Sequence, residues 1–227
     1  LEAALLYQEQ ADKTRAIVKK AFETNETEVH YSFRITLDGL INLVAKKLVG
    51  KYEEPTKEFL YQLNIAISYI RSHYIINELI LSGDLIEAYT LIRKQLEKLT
   101  RLHEIDSLPL KILIGQTPKV NNVFKEVAKV LYRELSEVAH FGKPKVSQLI
   151  SFRTSDGKNG PSLFPTYKES ALICYDKNAF VALYFTHWLI EFTIKHNKEY
   201  ESEEDENTFS ILEKMALDCN IIKTDKK

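Results

Sequence analysis

Glycine and proline are scarce in this chain, 7 and 6 of 227 residues. So little punctuation leaves few places to break a helix, and long helices are expected. Cysteine occurs twice, at Cys174 and Cys219, far apart and without the spacing of metal ligands. That argues against a zinc site and for two reduced thiols in a cytosolic protein. No metal and no cofactor are expected. Excess charge is also missing: the formal net charge is -1, so any affinity for nucleic acid has to come from a local basic patch. The longest apolar stretch, AFVALYFTHWLIEFTI over 179–194, contains His187 and Glu191 and falls short of the roughly 20 residues a membrane span needs. It reads as a buried helix, and no membrane partner is expected. The opening LEAALLYQEQ shows no basic region followed by an apolar core, so no secretory leader is read there. No internal repeat, P-loop or dinucleotide-binding glycine pattern is visible, and a cytoplasmic location is expected.

What is present fits a globular protein. Apolar residues make up 44% and charged residues 28%, close to the averages that separate folded domains from disordered chains. The length suits one core with an appendage. Apolar residues return at helical intervals over 1–23, and a second helix is expected from near Thr36 to Gly50. The stretch from Pro55 to Gly83 reads as the longest helix, with proline at its first turn and glycine past its end. Asp84 is expected to cap the next helix, whose Leu85, Tyr89, Ile92, Leu96, Leu99 and His103 share one face. Two helices joined so tightly should form an antiparallel hairpin. After a connector, Pro118 is expected to open a further helix that ends near His140. SDGKNG, between β-rich fragments, reads as a loop or small hairpin. Asp176 is expected to cap the last core helix, and EYESEEDEN reads as a solvated linker.

The fold expected is therefore all-α, a bundle of long antiparallel helices with a small loop or β-hairpin insertion. Its single helical domain covers 1–198, with 1–53 as an N-terminal extension. An acidic linker at 199–207 and a short C-terminal helix with its tail at 208–227 complete it.

The segment YRELSEVAHFGKPK, Tyr132 to Lys145, carries the chemistry. On a helical wheel with Tyr132 at zero, Ser136, His140 and Arg133 fall at about 40°, 80° and 100°. Arg133 and His140 thus lie one above the other beside the apolar face, separated by a rise of about 10 Å. Two readings fit. A polar last turn followed by Gly142 and Pro144 is a normal helix ending, with Arg133 pairing Glu137 at i,i+4 and Tyr132 and Ser136 bonding a neighbouring helix. The same residues also suit phosphate chemistry: an imidazole that exchanges protons near neutral pH beside a planar fork of donors.

Arg133, six residues and His140 near a helix end resembles the Arg-x(4–6)-His motif of the HEPN superfamily. The hairpin segment LIRKQLEKL, with Arg93 and Glu97 one turn apart, and the Tyr132/Ser136/His140 spacing resemble uncharacterised bacterial HEPN-like proteins. The likeness covers roughly 54–196. Many active members have asparagine or another polar residue directly after the arginine, where this chain has Glu134. The resemblance implies a homodimer that acts on RNA, either binding it or cleaving it as a metal-independent endoribonuclease in a toxin–antitoxin or phage-defence setting. It implies catalytic roles for Arg133, His140, Ser136 and Tyr132, support from Arg93 and Glu97, and RNA contacts from Lys143, Lys145, Arg153 and Lys158. Phe152 offers a stacking surface. An antitoxin or other regulatory protein is a further implied partner. The alternatives are a non-catalytic dimerisation or protein-interaction module, and a nucleotide-binding domain.

Outside the motif the expectations are plainer. Arg93 and Glu97 are expected to form a partly buried ion pair, and His103 to be a core histidine bonded to backbone. His187 and Glu191, an i,i+4 pair, are expected to be satisfied structurally rather than to serve as metal ligands or relay partners. His73 and Tyr74 have no partner legible in the sequence.

Overall fold

The computed structural model describes residues 1–48, 55–124, 126–153, 157 and 159–223. Two helices open the chain, α1 (Glu2–Asn25) and α2 (Glu28–Lys47). The expected break between them is present, but α2 begins eight residues before Thr36. The cause is local: the Thr27 hydroxyl accepts the His30 N–H and caps α2, satisfying a donor the first turn leaves free. Arg34 then binds Glu26 through two nitrogens, at 2.6 and 3.2 Å. The expected end at Gly50 lies outside the described residues.

Helix α3 (Lys57–Ser82) starts from Thr56, whose hydroxyl accepts the Phe59 N–H, so Pro55 precedes the cap rather than opening the helix. It ends at Gly83, with φ 83°. A Cβ there would lie 2.9 Å from Val18 Cγ1, so both the conformation and the packing require glycine. Asp84 is the residue before α4 (Leu85–Ser107), yet its carboxylate caps nothing; it accepts from Arg15 Nε at 3.0 Å. Helices α3 and α4 form the expected antiparallel hairpin and pack along their length.

The connector holds two single turns, α5 (Leu110–Leu113) and α6 (Val120–Val123), before α7 (Glu126–Ala139). Pro118 therefore precedes α6, and the motif helix is shorter than the sequence suggests. A 3₁₀ turn over Pro144–Leu149 leads into β1 (Ser151–Arg153) and β2 (Asn159–Pro161), an antiparallel pair with Phe152 opposite Gly160. This is the small insertion of an otherwise all-α bundle.

Helix α8 (Ser170–His196) begins before Asp176, which lies in its second turn and faces His30 at 3.5 Å instead of capping. Helix α9 (Glu203–Asp218) includes most of the acidic stretch expected as a linker. Four carboxylates in its first turn favour the helix through its dipole. Asp205 is drawn inward, receiving Lys47 Nζ at 2.8 Å and the Tyr200 hydroxyl at 2.6 Å. Phe209, Leu212 and Ala216 then dock the helix on α2 and α8.

One core joins all of this. Phe33, Leu37, Leu40, Ile41 and Val44 of α2 belong to the same buried cluster as α3, α4 and α8, so the N-terminal pair shares the core of the bundle. An aromatic column runs from Phe59 through Phe192, Trp188 and Phe185 to Tyr69, with centroids 5.5, 4.7, 6.1 and 3.7 Å apart. Positions 185, 188 and 192 are i, i+3 and i+7 on α8, and that spacing puts three rings on one face. Each large apolar side chain so buried contributes about 1.5–3 kcal/mol. Cys174 and Cys219 are buried free thiols. Among the described residues no helix is long and apolar enough to cross a membrane.

Polar groups also cross the core. His73, 1% exposed, meets Asp38 Oδ1 through Nε2 at 2.7 Å. Asn77 donates to both Asp38 oxygens at 3.1 Å, Asn178 donates to Asn77 Oδ1 at 2.9 Å, and Tyr74 donates to the Asp38 carbonyl. This network ties α2, α3 and α8 together and supplies the partners for His73 and Tyr74 that the sequence did not reveal.

Candidate functional site

Helix α7 packs mainly on α4, because Ala128, Leu131 and Leu135 return on one face and are buried there. That packing brings Tyr132 against the polar edge of α4. The Tyr132 hydroxyl donates to Glu97 Oε1 at 3.0 Å and accepts from Arg93 Nη2 at 3.1 Å. Arg93 Nη2 also lies 3.2 Å from Glu97 Oε1, and Lys94 Nζ reaches Glu97 Oε2 at 3.0 Å. The guanidinium carbon sits 5.2 Å from the centre of the Tyr132 ring, within range of a cation–π attraction. Arg93 and Glu97 thus form the half-buried ion pair expected of them and also touch the motif helix.

The remaining arm of Arg93 reaches the motif histidine, with Nη1 3.0 Å from His140 Nε2. Arginine only donates, so Nε2 accepts in this contact and the imidazole proton sits on Nδ1. His140 itself is exposed. It is the first residue past α7, and its N–H still bonds the Ser136 carbonyl.

The helix then closes with the Gly142 N–H on the Glu137 carbonyl at 2.8 Å and the Phe141 N–H on Val138 at 3.1 Å. The same closure recurs after α3 and α9, where Gly83 and Asn220 take the left-handed position. Here Phe141 takes it, at φ 49°, although glycine and asparagine tolerate that region far better. Gly142 is one place too late to relieve it. Phe141 is 57% exposed, so neither burial nor packing compensates for the strain.

Arg133 is exposed and has no hydrogen bond or ion pair among the described residues. The expected pairing with Glu137 is replaced by Lys143, whose Nζ lies 2.6 Å from Glu137 Oε1. The hydrogen bond from Lys143 lowers the Glu137 carboxyl from its ordinary value; desolvation opposes it, and the fields of Lys143, Lys145 and Arg133 add smaller lowering pulls. Three cations therefore crowd one carboxylate at the end of α7. Glu134, next to Arg133, points away to Lys177 on α8, at 2.5 Å.

The structure thus brings together Arg93, Glu97, Tyr132 and His140, and gathers Arg133, Lys143 and Lys145 beside them. It does not join Arg133 to His140, since His140 has left the helix and turned toward α4. Ser136 spends its hydroxyl on the Tyr132 carbonyl at 2.8 Å and does not orient the imidazole. Arg153 is described only as a residue of β1, and Lys158 lies outside the described residues. Phe152 is 38% exposed on the insertion.

His103 meets Phe124 edge-on at 5.6 Å and has no backbone hydrogen bond among the described residues. His187 and Glu191 form an exposed i,i+4 pair at 3.7 Å. No cluster of His, Cys, Asp or Glu among the described residues suits a metal ion. Compared with protein-family models, curated proteins and solved structures, this chain matches none.

Proposed function

We propose that the end of α7 binds the phosphate backbone of RNA and cleaves it without a metal, in the manner of the HEPN proteins its motif resembles. The observation that carries this reading is the Arg93–His140 contact: an exposed imidazole held 3.0 Å from a guanidinium that Glu97 and Tyr132 fix in place. Held so, Arg93 loses little freedom when it takes up a phosphate oxygen. A phosphodiester that replaces His140 on Nη1 frees Nε2. That nitrogen accepts the proton of the RNA 2′-hydroxyl, the 2′-oxygen bonds phosphorus, and the bond from phosphorus to the 5′-oxygen breaks as that oxygen takes a proton from water. Arg93 neutralises charge on the phosphorane oxygens, while Arg133, Lys143 and Lys145 attract the strand. In this reading Arg93 fills the role that the motif alone would give to Arg133. The setting belongs to the same proposal: a cytoplasmic homodimer, restrained by an antitoxin-like partner in a toxin or phage-defence system.

One observation favours a second reading. The terminal nitrogens of Arg93, the Tyr132 hydroxyl and Glu97 already bond within their own chain, so the surface can also serve as a non-catalytic face for RNA, a nucleotide or a protein. The deciding experiment is cleavage of labelled RNA in chelator by the wild type and by His140→Ala, Arg93→Ala and Arg133→Ala. Loss with His140→Ala and Arg93→Ala is expected. Equal activity in all four proteins, or none in any, removes the nuclease reading.

A further inference from the structure

Tyr132 has two ends. Its hydroxyl belongs to the Arg93–Glu97 cluster, while its ring lines a cleft of about 240 Å³ with Pro118, Lys119, Val120, Asn121 and Asn122. That volume is the share of about eight liquid waters and lies below the roughly 300 Å³ at which pockets for drug-sized ligands begin. It suits a single planar ring system.

The wall of the cleft is held from beneath. Arg101 donates to the carbonyls of Leu113, at 2.8 Å, and of Gln116. Glu104, one turn along α4, accepts the Lys119 N–H at 2.8 Å. Both side chains are 8% exposed and pair with each other at 3.4 Å. Burying two charges carries a desolvation cost, and here their hydrogen bonds go to the backbone of one connector. Val120, 4% exposed, anchors the same segment in the core. The connector is therefore fixed before any ligand arrives, as a preorganised site requires.

What the fixed segment presents is polar and unspent. Asn121 and Asn122 are exposed, and neither amide has a hydrogen-bond partner among the described residues. An asparagine amide offers one acceptor and two donors in a plane, the complement of adenine's N7 and N6 edge. The Tyr132 ring, fixed by two hydrogen bonds at its hydroxyl, supplies an aromatic surface on which a base can stack. Lys119 is exposed at the rim, where the phosphate of a neighbouring nucleotide would pass.

We propose that this cleft is a base-binding subsite that selects adenine in the strand whose phosphate lies at His140, an inference that rests on the RNA-binding reading above. Tyr132 joins the two sites, coupling base capture to the placement of Arg93.

The test is anisotropy of short labelled oligoribonucleotides of A, C and U with the full chain. Oligo(A) is expected to bind about tenfold more tightly than the other two. Asn121→Ala/Asn122→Ala should bring the three affinities together. Binding of all three without preference, or a preference for A that survives the double asparagine variant, overturns the base subsite and leaves the phosphate site standing. No binding of any oligonucleotide by the wild type overturns both.

Discussion

Arg93 and His140 are 47 positions apart in the chain and 3.0 Å apart in the fold. The contact exists because α7 lies on α4 and because the chain turns back at Phe141. It makes Arg93, on the hairpin, the guanidinium nearest the motif imidazole, while Arg133 stands free in solvent.

On the ribonuclease reading proposed above, Arg93→Ala should reduce RNA cleavage about as severely as His140→Ala, on the order of a hundredfold. Arg133→Ala should cost less and act mainly by weakening binding as salt rises. Arg93→Lys should not restore activity, since a point charge cannot hold Tyr132, Glu97 and phosphate together. Single-turnover cleavage rates for the wild type and these four variants provide the check, and a larger loss for Arg133→Ala would count against the assignment.

Phe141 sits in the left-handed region without burial to hold it there. Phe141→Gly should therefore stabilise the fold by about 0.5–1 kcal/mol, raising Tm by about 1–4 °C at this size. Gly83→Ala should do the reverse, by more than about 1 kcal/mol, since its Cβ would also press on Val18. Thermal melts of both variants test the pair.

Asp38 is shared by His73 and Asn77, and its removal takes the carboxylate from both of these buried side chains. Asp38→Ala should cost about 2–3 kcal/mol, seen as a lower urea midpoint with an unchanged slope. A variant as stable as the wild type would mean that the network contributes little.

The pH dependence has a definite sign. Burial pushes the His103 imidazole down from its ordinary value, against smaller upward pulls from Asp106 and Glu191. Burial acts the same way on His196, helped by Lys195. As pH falls through the ordinary histidine value near about 6.5, the unfolded chain takes up protons that the folded chain refuses. Stability should therefore drop toward acid and level off below the folded-state values. Urea midpoints at about pH 7.5 and about pH 5.5 should differ less in His103→Phe than in the wild type.

Leu212 is fully buried where α9 meets the core. Leu212→Ala should lower global stability by about 2–4 kcal/mol within a single unfolding transition. A separate early transition confined to α9 would show that the C-terminal helix docks as an independent unit.

Local rules made much of this fold legible. The face shared by Leu85, Tyr89, Ile92, Leu96 and Leu99 predicts how α4 lies, Gly83 marks the hairpin, and SDGKNG marks the insertion. The misplaced boundaries have physical causes. Thr27 and Thr56 won the caps by hydrogen bonding. Asp84 and Asp176 lost theirs to Arg15 and His30, residues far away in sequence. The acidic run looked like a tether, but helix polarity and a buried Asp205 turned it into a docked helix.

At the site the division is sharper. Sequence periodicity alone placed Tyr132, Ser136 and His140 near one another at the end of an apolar-faced helix, because a regular helix fixes which neighbours share a face. It could not choose the guanidinium that meets the imidazole. That choice rests on which helix packs against α7 and on where the chain leaves its helical path, and both are settled by burial of Leu131 and Leu135 against residues from distant parts of the chain. Helical spacing is a local property; the partner across the groove is decided only when the core closes.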